Sequence, residues 1–325
     1  MNLVQVSPHC FALVNERNLL CDATSGLVAL GRGLIVDTQA DLAHARRMLE
    51  VFGELVDEPP AYVVNTHEDI DHVAGNQLVG GAEIIGHRAV AERMGAVADP
   101  ARLVRLQKAA AGGLGRIVLR LRHPGLLATV GVLGDYRFDG IELTPPGRVF
   151  EERMDLDLGG AVVELIHVGP AHQAGDTIVH VPGDGVVFAG DVVLRGVAPI
   201  GWVGSTDSWL AALDVIESLE PEAIVPGHGP VCGMEGVRDM RAYLERVRSQ
   251  ARACFEQGMT SIEAAKRVDL GPFGEWNAAD ARVWMSVERV YRECRGEAID
   301  APWDVARVFD MCHAICRARG AAFSI

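Results

Sequence analysis

The sequence predicts a mixed α/β (α+β) chain in which two β layers share a core, helices cover them outside, and a helical extension follows. Three observations predict it. Short apolar runs with turn residues at their ends alternate with stretches of helical periodicity, the same plan appears in both halves without sequence repetition, and from about residue 236 the pattern is helical throughout. A sheet with apolar residues on both faces needs a partner layer on each, which two stacked sheets under helices provide.

The amino-terminal runs Phe11–Val14, Gly26–Leu30 and Gly33–Asp37 read as a β-meander. A helix over Leu42–Leu55 leads to a strand at Ala61–Val64, and another strand, Ala82–His87, precedes a helix near Ala89–Met94, with His87 in a structural role. Residues 100–134 hold no acid but carry Arg102, Arg105, Lys108, Arg116, Arg120 and Arg122. This basic, helical insertion (about 98–135) is expected to present a solvated face, with Leu103, Leu106, Leu119 and Leu126 buried, to meet an acidic partner surface, or to close over a substrate through Arg116 and Arg120. Strands are expected at Ile141–Leu143, Ala161–Ile166, Thr177–Val181 and Val186–Ala189, then a helix over Ser208–Leu219 and a strand at Ala223–Pro226. The division expected is a domain over 1–235 and a helical extension over 236–325. The extension has an apolar face of Met240, Tyr243, Leu244, Val247, Ala251 and Phe255, a capping box at Thr260–Glu263, and helices over Ala278–Cys294 and Trp303–Ala318. It is expected to pack on the core or on a second subunit.

The 325 residues include 49% hydrophobic side chains and give a formal charge of −14, which disfavours nucleic acid and anionic membranes as principal partners and leaves a small-molecule substrate. Seven cysteines without a CxxC pair read as reduced thiols. Cys312, His313 and Cys316 could imitate a metal cluster, but their spacing also suits a helix face turned to a core. The first residues lack a basic region followed by an apolar run, so a cytoplasmic location is expected, and no apolar window is long enough to span a bilayer. A homo- or hetero-oligomer is left open.

The chain is organised around Asn65–His72, where His67, Asp69, Asp71 and His72 follow directly on the apolar strand. Imidazoles and carboxylates are costly to bury, and a strand that delivers them into a loop is a way of presenting metal ligands. Three later segments repeat that architecture: Val168–Asp176 with His172, Val187–Asp191 with Asp191, and Val225–Pro230 with His228. Each alone is a common turn; in this order, the four together resemble the metallo-β-lactamase-fold superfamily over about residues 5–232.

That resemblance implies an αββα sandwich with a dinuclear metal site at one edge of its sheets. His67, position 69 and His172 would hold the first metal, Asp71, His72 and His228 the second, and Asp191 would bridge. Asp69 departs from the pattern, since most of the superfamily has a second histidine there. Flavodiiron relatives carry Glu at that place and one lactamase subclass Asn. An Asp oxygen reaches about as far from the backbone as a histidine Nδ1, so the change is sterically mild and electrostatically large. Two divalent ions with three ionised aspartates and a bridging hydroxide would be neutral overall, and oxygen-rich ligation favours iron or manganese without excluding zinc.

The activity expected is metal-dependent hydrolysis, with a metal-bound hydroxide oriented by Asp71 attacking a small ester, thioester, lactone or activated (aryl) ether. No GxSxG elbow offers another nucleophile. The alternatives are a non-heme diiron oxidoreductase fed by a separate electron donor, or a catalytically silent subunit of a hetero-oligomer. Trp202, Trp209 and the apolar residues of Leu126–Leu133 are expected in a substrate pocket or in the core.

Overall fold

In the computed structural model, which describes residues 1–15 and 17–325, the meander forms as expected. Its strands β1 (Asn2–Gln5), β2 (Cys10–Val14), β3 (Ser25–Val28) and β4 (Leu34–Val36) pair antiparallel in order. Helix α1 (Leu42–Gly53) starts at Asp41, whose side chain accepts hydrogen bonds from the amides of Ala43 and His44. It returns the chain to β5 (Tyr62–Asn65), parallel to β4. After the short α2 (Ile70–Val73) come β6 (Glu83–His87), parallel to β5, and α3 (Arg88–Val97), which the His87 ring caps by accepting from the Ala89 amide. The insertion is helical: α4 (Pro100–Ala111), α5 (Gly113–Arg122) and α6 (Pro124–Val132). Strand β7 (Arg148–Phe150) then closes a seven-stranded sheet in the order β1 to β7.

The second sheet contains β8 (Arg153–Asp157), β9 (Val162–His167), β10 (Thr177–Val181) and β11 (Val186–Leu194), antiparallel in sequence. Helix α7 (Thr206–Ser218) crosses over to β12 (Ala223–His228), which lies parallel to β11 at the far edge from β8. Four helices follow: α8 (Met234–Glu256), α9 (Ser261–Arg267), α10 (Ala279–Arg295) and α11 (Val305–Ala318). The capping box at Thr260 and Glu263 is present in both directions.

The pleat explains why the strands read as continuous apolar runs. In β5, Tyr62 and Val64 enter the core between the sheets, while Val63 joins Met48 and Phe52 of α1 on the outer face. In β11, Val186 and Phe188 point between the sheets and Val187 and Ala189 point outward, under the helices. Those outward residues share one apolar cluster with Trp209 of α7, Tyr243 of α8, Val287 of α10 and Ile315 of α11, so the extension covers the five-stranded sheet of its own chain. Cys312 and Cys316 lie in that cluster, and burial pushes the Cys312 thiol up to about 12, which makes it a core residue.

One expected strand does not form, and two later strands that do, β7 and β8, are not among those expected. Ile141–Leu143 pairs with no strand among the described residues and is a loop whose Ile141 packs beside Tyr136 and Phe138. Strand β8 was not expected, because Arg153-Met154-Asp155-Leu156-Asp157 is an edge strand that buries only Leu156 and leaves its charges in solvent. In the insertion, Leu119 and Leu126 are buried and Leu103 and Leu106 partly so, but α5 leaves Leu114, Ile117, Val118 and Leu121 exposed. Asp310 of α11 fastens the insertion by accepting from the amide of Gly125 at 2.8 Å and meeting His123 Nδ1 at 2.8 Å. Among the described residues no single helix is long and apolar enough to cross a membrane.

Candidate metal centre

The loop after β5 is built around Asp37, which ends β4 and is 2% exposed. Its Oδ1 accepts the amide of Thr66 at 2.8 Å, and its Oδ2 accepts the Thr66 hydroxyl at 2.6 Å and His72 Nδ1 at 2.8 Å. Because the Thr66 hydroxyl spends its proton on Asp37, its oxygen is left to accept from His67 Nδ1, 3.0 Å away. Both imidazoles are therefore fixed with a protonated Nδ1 and a lone pair on Nε2, the arrangement that outer hydrogen bonds impose on metal-binding histidines. Asp37 was not singled out in the sequence, although a carboxylate closing an apolar strand is the same signal that marks Asp191.

The second loop is shaped by Asp176, whose Oδ2 accepts the amides of Ala171, His172 and Gln173 at 3.0, 2.7 and 2.9 Å. His172 donates from Nδ1 to the carbonyl of Ile200 at 2.7 Å, leaving its Nε2 toward the site. Glu68 ties the two loops, accepting from the Gly175 amide at 3.1 Å and from Arg93 Nε at 3.0 Å. Burial, with Asp69 and Asp176 nearby, pushes the Glu68 carboxyl up to about 7 against the pull of Arg93. Asp191 projects from β11 over Gly227 of β12, where a Cβ would fall 2.0 Å from its Oδ1; only glycine leaves room for the carboxylate.

These elements bring six of the seven expected ligands into two groups: His67, His172 and Asp191, and Asp71, His72 and His228, each offering atoms within 4.8 Å of one another. Asp191 stands between them, 3.4 Å from His72 Nε2 and 3.6 Å from Nε2 of both His172 and His228. Asp71 Oδ2 lies 3.3 Å from His228 Nε2. Burial by itself would raise the Asp191 carboxyl, but His228, His72 and His172 outweigh it and hold the group well below the usual range. Burial and the neighbouring imidazoles also hold His67 well below the usual imidazole range, which keeps it neutral.

Asp69 starts α2 without capping it. Its Oδ2 turns instead to His172 Nε2 at 2.9 Å, with His67 Nε2 at 3.9 Å, and its Oδ1 accepts the Gln173 side-chain amide at 2.5 Å. Nε2 of His67, Nε2 of His72 and Oδ1 of Asp191 are buried and hydrogen-bond to no atom of the described residues. Orphaned imidazole and carboxylate atoms converging from several loops are what divalent cations bind, so the residues present fit a pair of ions.

Five of the expected ligands, Asp69, Asp71, His172, Asp191 and His228, form the floor of a cavity of about 530 Å³, with His67 and His72 fully buried. Its walls come from the insertion (Leu103, Leu106, Leu126, Val130) and from Trp202, Trp303 and Phe309 near or on α11. Trp209 is not among them: its Nε1 donates to the Val192 carbonyl at 2.9 Å within the core. Arg116 and Arg120 face a second groove together with Lys108 and Arg137, so of the basic tract only Arg102 borders the metal cavity.

A model described as the metallo-beta-lactamase superfamily matches residues 21–228, more than half of the chain. The chain belongs to that superfamily. Superfamily membership implies divalent metal ions, and the two His/Asp groups are where this member would hold them. Among its relatives, a linear primary-alkylsulfatase from Pseudomonas sp. (strain ATCC 19151) is 23% identical over 276 residues, 78% of this chain and 50% of the relative. The alpha subunit of a 2,4-dinitroanisole O-demethylase from Nocardioides sp. (strain JS1661) is 30% identical over 82 residues, 24% of each chain. The solved structure of a stereoselective inverting sec-alkylsulfatase from Pseudomonas sp. matches with a TM-score of 0.64 at 16% identity, covering 90% of this chain and 50% of that one. This last likeness is one of fold, and it reaches beyond the superfamily domain into the helical extension. The chain spans about half the length of the alkylsulfatases it matches.

Proposed function

We propose that this member of the superfamily is a metal-dependent hydrolase acting on a substrate with an apolar body, at an ester, thioester, lactone or activated aryl ether bond, with sulfate esters included. The observation that carries this reading is that each ligand group reaches the floor of one apolar-walled cavity, through His172 and Asp191 and through Asp71 and His228. The names of the relatives, an alkylsulfatase and an anisole O-demethylase, fit bonds of that kind.

Two divalent ions bound there would supply Lewis acidity and a water made acidic enough to act near neutral pH. The chain's own residues do the rest. Asp71, beside His228 and open to the cavity, is placed to orient the attacking water and to take its proton. The hydroxyl of that water would go to the electrophilic atom as the bond to the leaving group breaks, and Asp71 would return the proton to the leaving oxygen or sulfur. The apolar walls of Leu106, Leu126, Val130 and Trp303 hold the substrate body and keep bulk water away.

Asp69 favours a second reading, a diiron oxidoreductase, because a carboxylate beside His172 raises the oxygen share of the donor set. One experiment separates the two. Protein purified without oxygen is analysed for metals and offered alkyl sulfates, aryl esters, thioesters, lactones and dinitroanisole, before and after chelation and metal return. Turnover that falls with chelation and recovers with metal supports the hydrolase. Metal-replete protein that cleaves none of them but consumes oxygen with an added electron donor overturns it.

A further inference from the structure

Helix α10 buries two arginines seven residues apart on one face, and they are used differently. Arg289 makes one hydrogen bond and packs its guanidinium against a ring and a glycine. Its Nη1 donates to the Ala171 carbonyl at 3.0 Å, its guanidinium lies 5.1 Å from the Trp209 ring centre, and a Cβ at Gly201 would fall 1.8 Å from its Nη2. Arg282 is equally buried, at 5% exposure, but among the described residues its only hydrogen bond runs from Nη1 to the Ala198 carbonyl at 2.8 Å. Its Nε has no partner. Among the described residues no carboxylate lies within ion-pair distance of it and no ring lies beneath it. Burial lowers its pKa only to about 10, so it is a cation at neutral pH. It borders the metal cavity beside Asp71, Asp191 and His228. The other arginines there are committed or peripheral: Arg93 pairs with Glu68, and Arg102 is exposed at the rim.

A guanidinium carries five N–H donors in a planar fork that matches the paired oxygens of an oxyanion. Leaving such donors buried and unused is costly, and the loss is recovered when a ligand supplies the acceptors. We propose that Arg282 docks an oxyanionic group of the substrate, so that the site selects amphiphiles with a sulfate-like or carboxylate head near the metal floor and an apolar body along Leu106, Leu126, Val130 and Trp303. This rests on the hydrolase reading for the place of the head beside the scissile bond; the binding preference itself does not depend on turnover. Nothing in the sequence pattern marks Arg282, because on a helical face it reads as one more charged residue.

The test is calorimetric binding of decanesulfonate, decanoate and decanol to metal-loaded wild type, Arg282→Met and Arg282→Lys, with metal content measured in each. Wild type should bind at least one of the two anions about tenfold or more tightly than decanol, the worth of a charge-assisted hydrogen bond. Arg282→Met should lose that preference while keeping its metals and its affinity for decanol, and Arg282→Lys should keep part of it. With a turned-over anionic substrate, the Met variant should raise KM more than it lowers kcat. Tighter binding of decanesulfonate than of decanoate, or the reverse, identifies the head group. A wild type without anion preference overturns the proposal, as does full preference in Arg282→Met at equal metal content. Should the Met variant not fold, Arg282→Gln carries the same comparison. Protein that prefers the anions but binds no metal would overturn the hydrolase reading and leave this one standing.

Discussion

The metal floor and the walls above it are built on different principles. The floor is assembled on strands and the loops that leave them: Asp37 follows β4, His67 follows β5 in its loop, Asp191 sits within β11 and His228 ends β12, each after an apolar run. The walls are assembled by helix faces far apart in sequence, with α4 and α6 on one side and α10 and α11 on the other, joined through Asp310. Chemistry is thus confined to positions that tolerate almost no displacement, and substrate choice to surfaces that can be repacked without moving a ligand.

The sharpest way to break that separation is at the floor. Replacing His72 or His228 by Ala should remove the second metal and abolish nearly all activity, a loss beyond the ~10–100-fold that removing an outer hydrogen-bond partner costs. Helical content should be unchanged, because α8 to α11 are held to the sheet by the apolar cluster on its outer face, which neither imidazole belongs to. Metal analysis with circular dichroism checks both halves; full activity in either variant would remove these residues from the centre.

Asp37 comes next. It serves both metal groups, His72 directly and His67 through Thr66, so Asp37→Ala should weaken both sites together by ~10–100-fold in metal affinity. Selective loss of one metal would show that the Thr66 relay does not orient His67.

A narrower change is Asp69→Asn, which keeps shape and removes one charge. Since Asp69 Oδ2 already faces His67 and His172, we expect it to be a ligand of the first metal, and the Asn variant should lower stoichiometry toward one ion per chain and reduce turnover. Asp69→His should restore tight binding and shift preference toward zinc. One metal per chain in wild type and both variants, with unchanged activity, would remove Asp69 from the centre.

The same division decides what could be read without coordinates. The ligands were legible because an apolar run ending in His or Asp is a local pattern, and four such segments recur in one order. The meander, the helix over residues 42–55 and the extension were legible through periodicity. Arg282, Asp310 and Gln173 were not, because each acquires its role from a partner distant in sequence: the cavity, the Gly125 amide and Asp69. Strand β8 was hidden for a different reason, since an edge strand needs only one inward residue and shows no apolar run. Trp202 and Trp209 illustrate the boundary: the same residue type seven positions apart lines the cavity in one case and fills the core in the other.

The smallest expected effect concerns the basic tract, where composition pointed to a lid. Arg116 and Arg120 are exposed on α5, and both border the groove shared with Lys108 and Arg137 rather than the metal cavity. Arg116 Nη1 donates to the Ala110 carbonyl at 2.8 Å, satisfying one of the orphan acceptors at the end of α4. Its role is therefore to hold the α4–α5 corner, and through it the Leu103 and Leu106 wall, without touching a ligand in the cavity. Arg116→Ala should lower stability by ~0.5–1.5 kcal/mol, the net worth of a single hydrogen bond, read as a lower urea midpoint at unchanged m-value. Arg120→Ala should stay within ~0.5 kcal/mol of wild type, as exposed substitutions do. In both, kcat and KM for any substrate found should remain within about twofold, since a distant exposed charge is screened over about 8–10 Å at ordinary ionic strength. A KM raised tenfold in Arg120→Ala, with stability and metal content unchanged, would place that arginine over the substrate and return the insertion to the role of a charged lid.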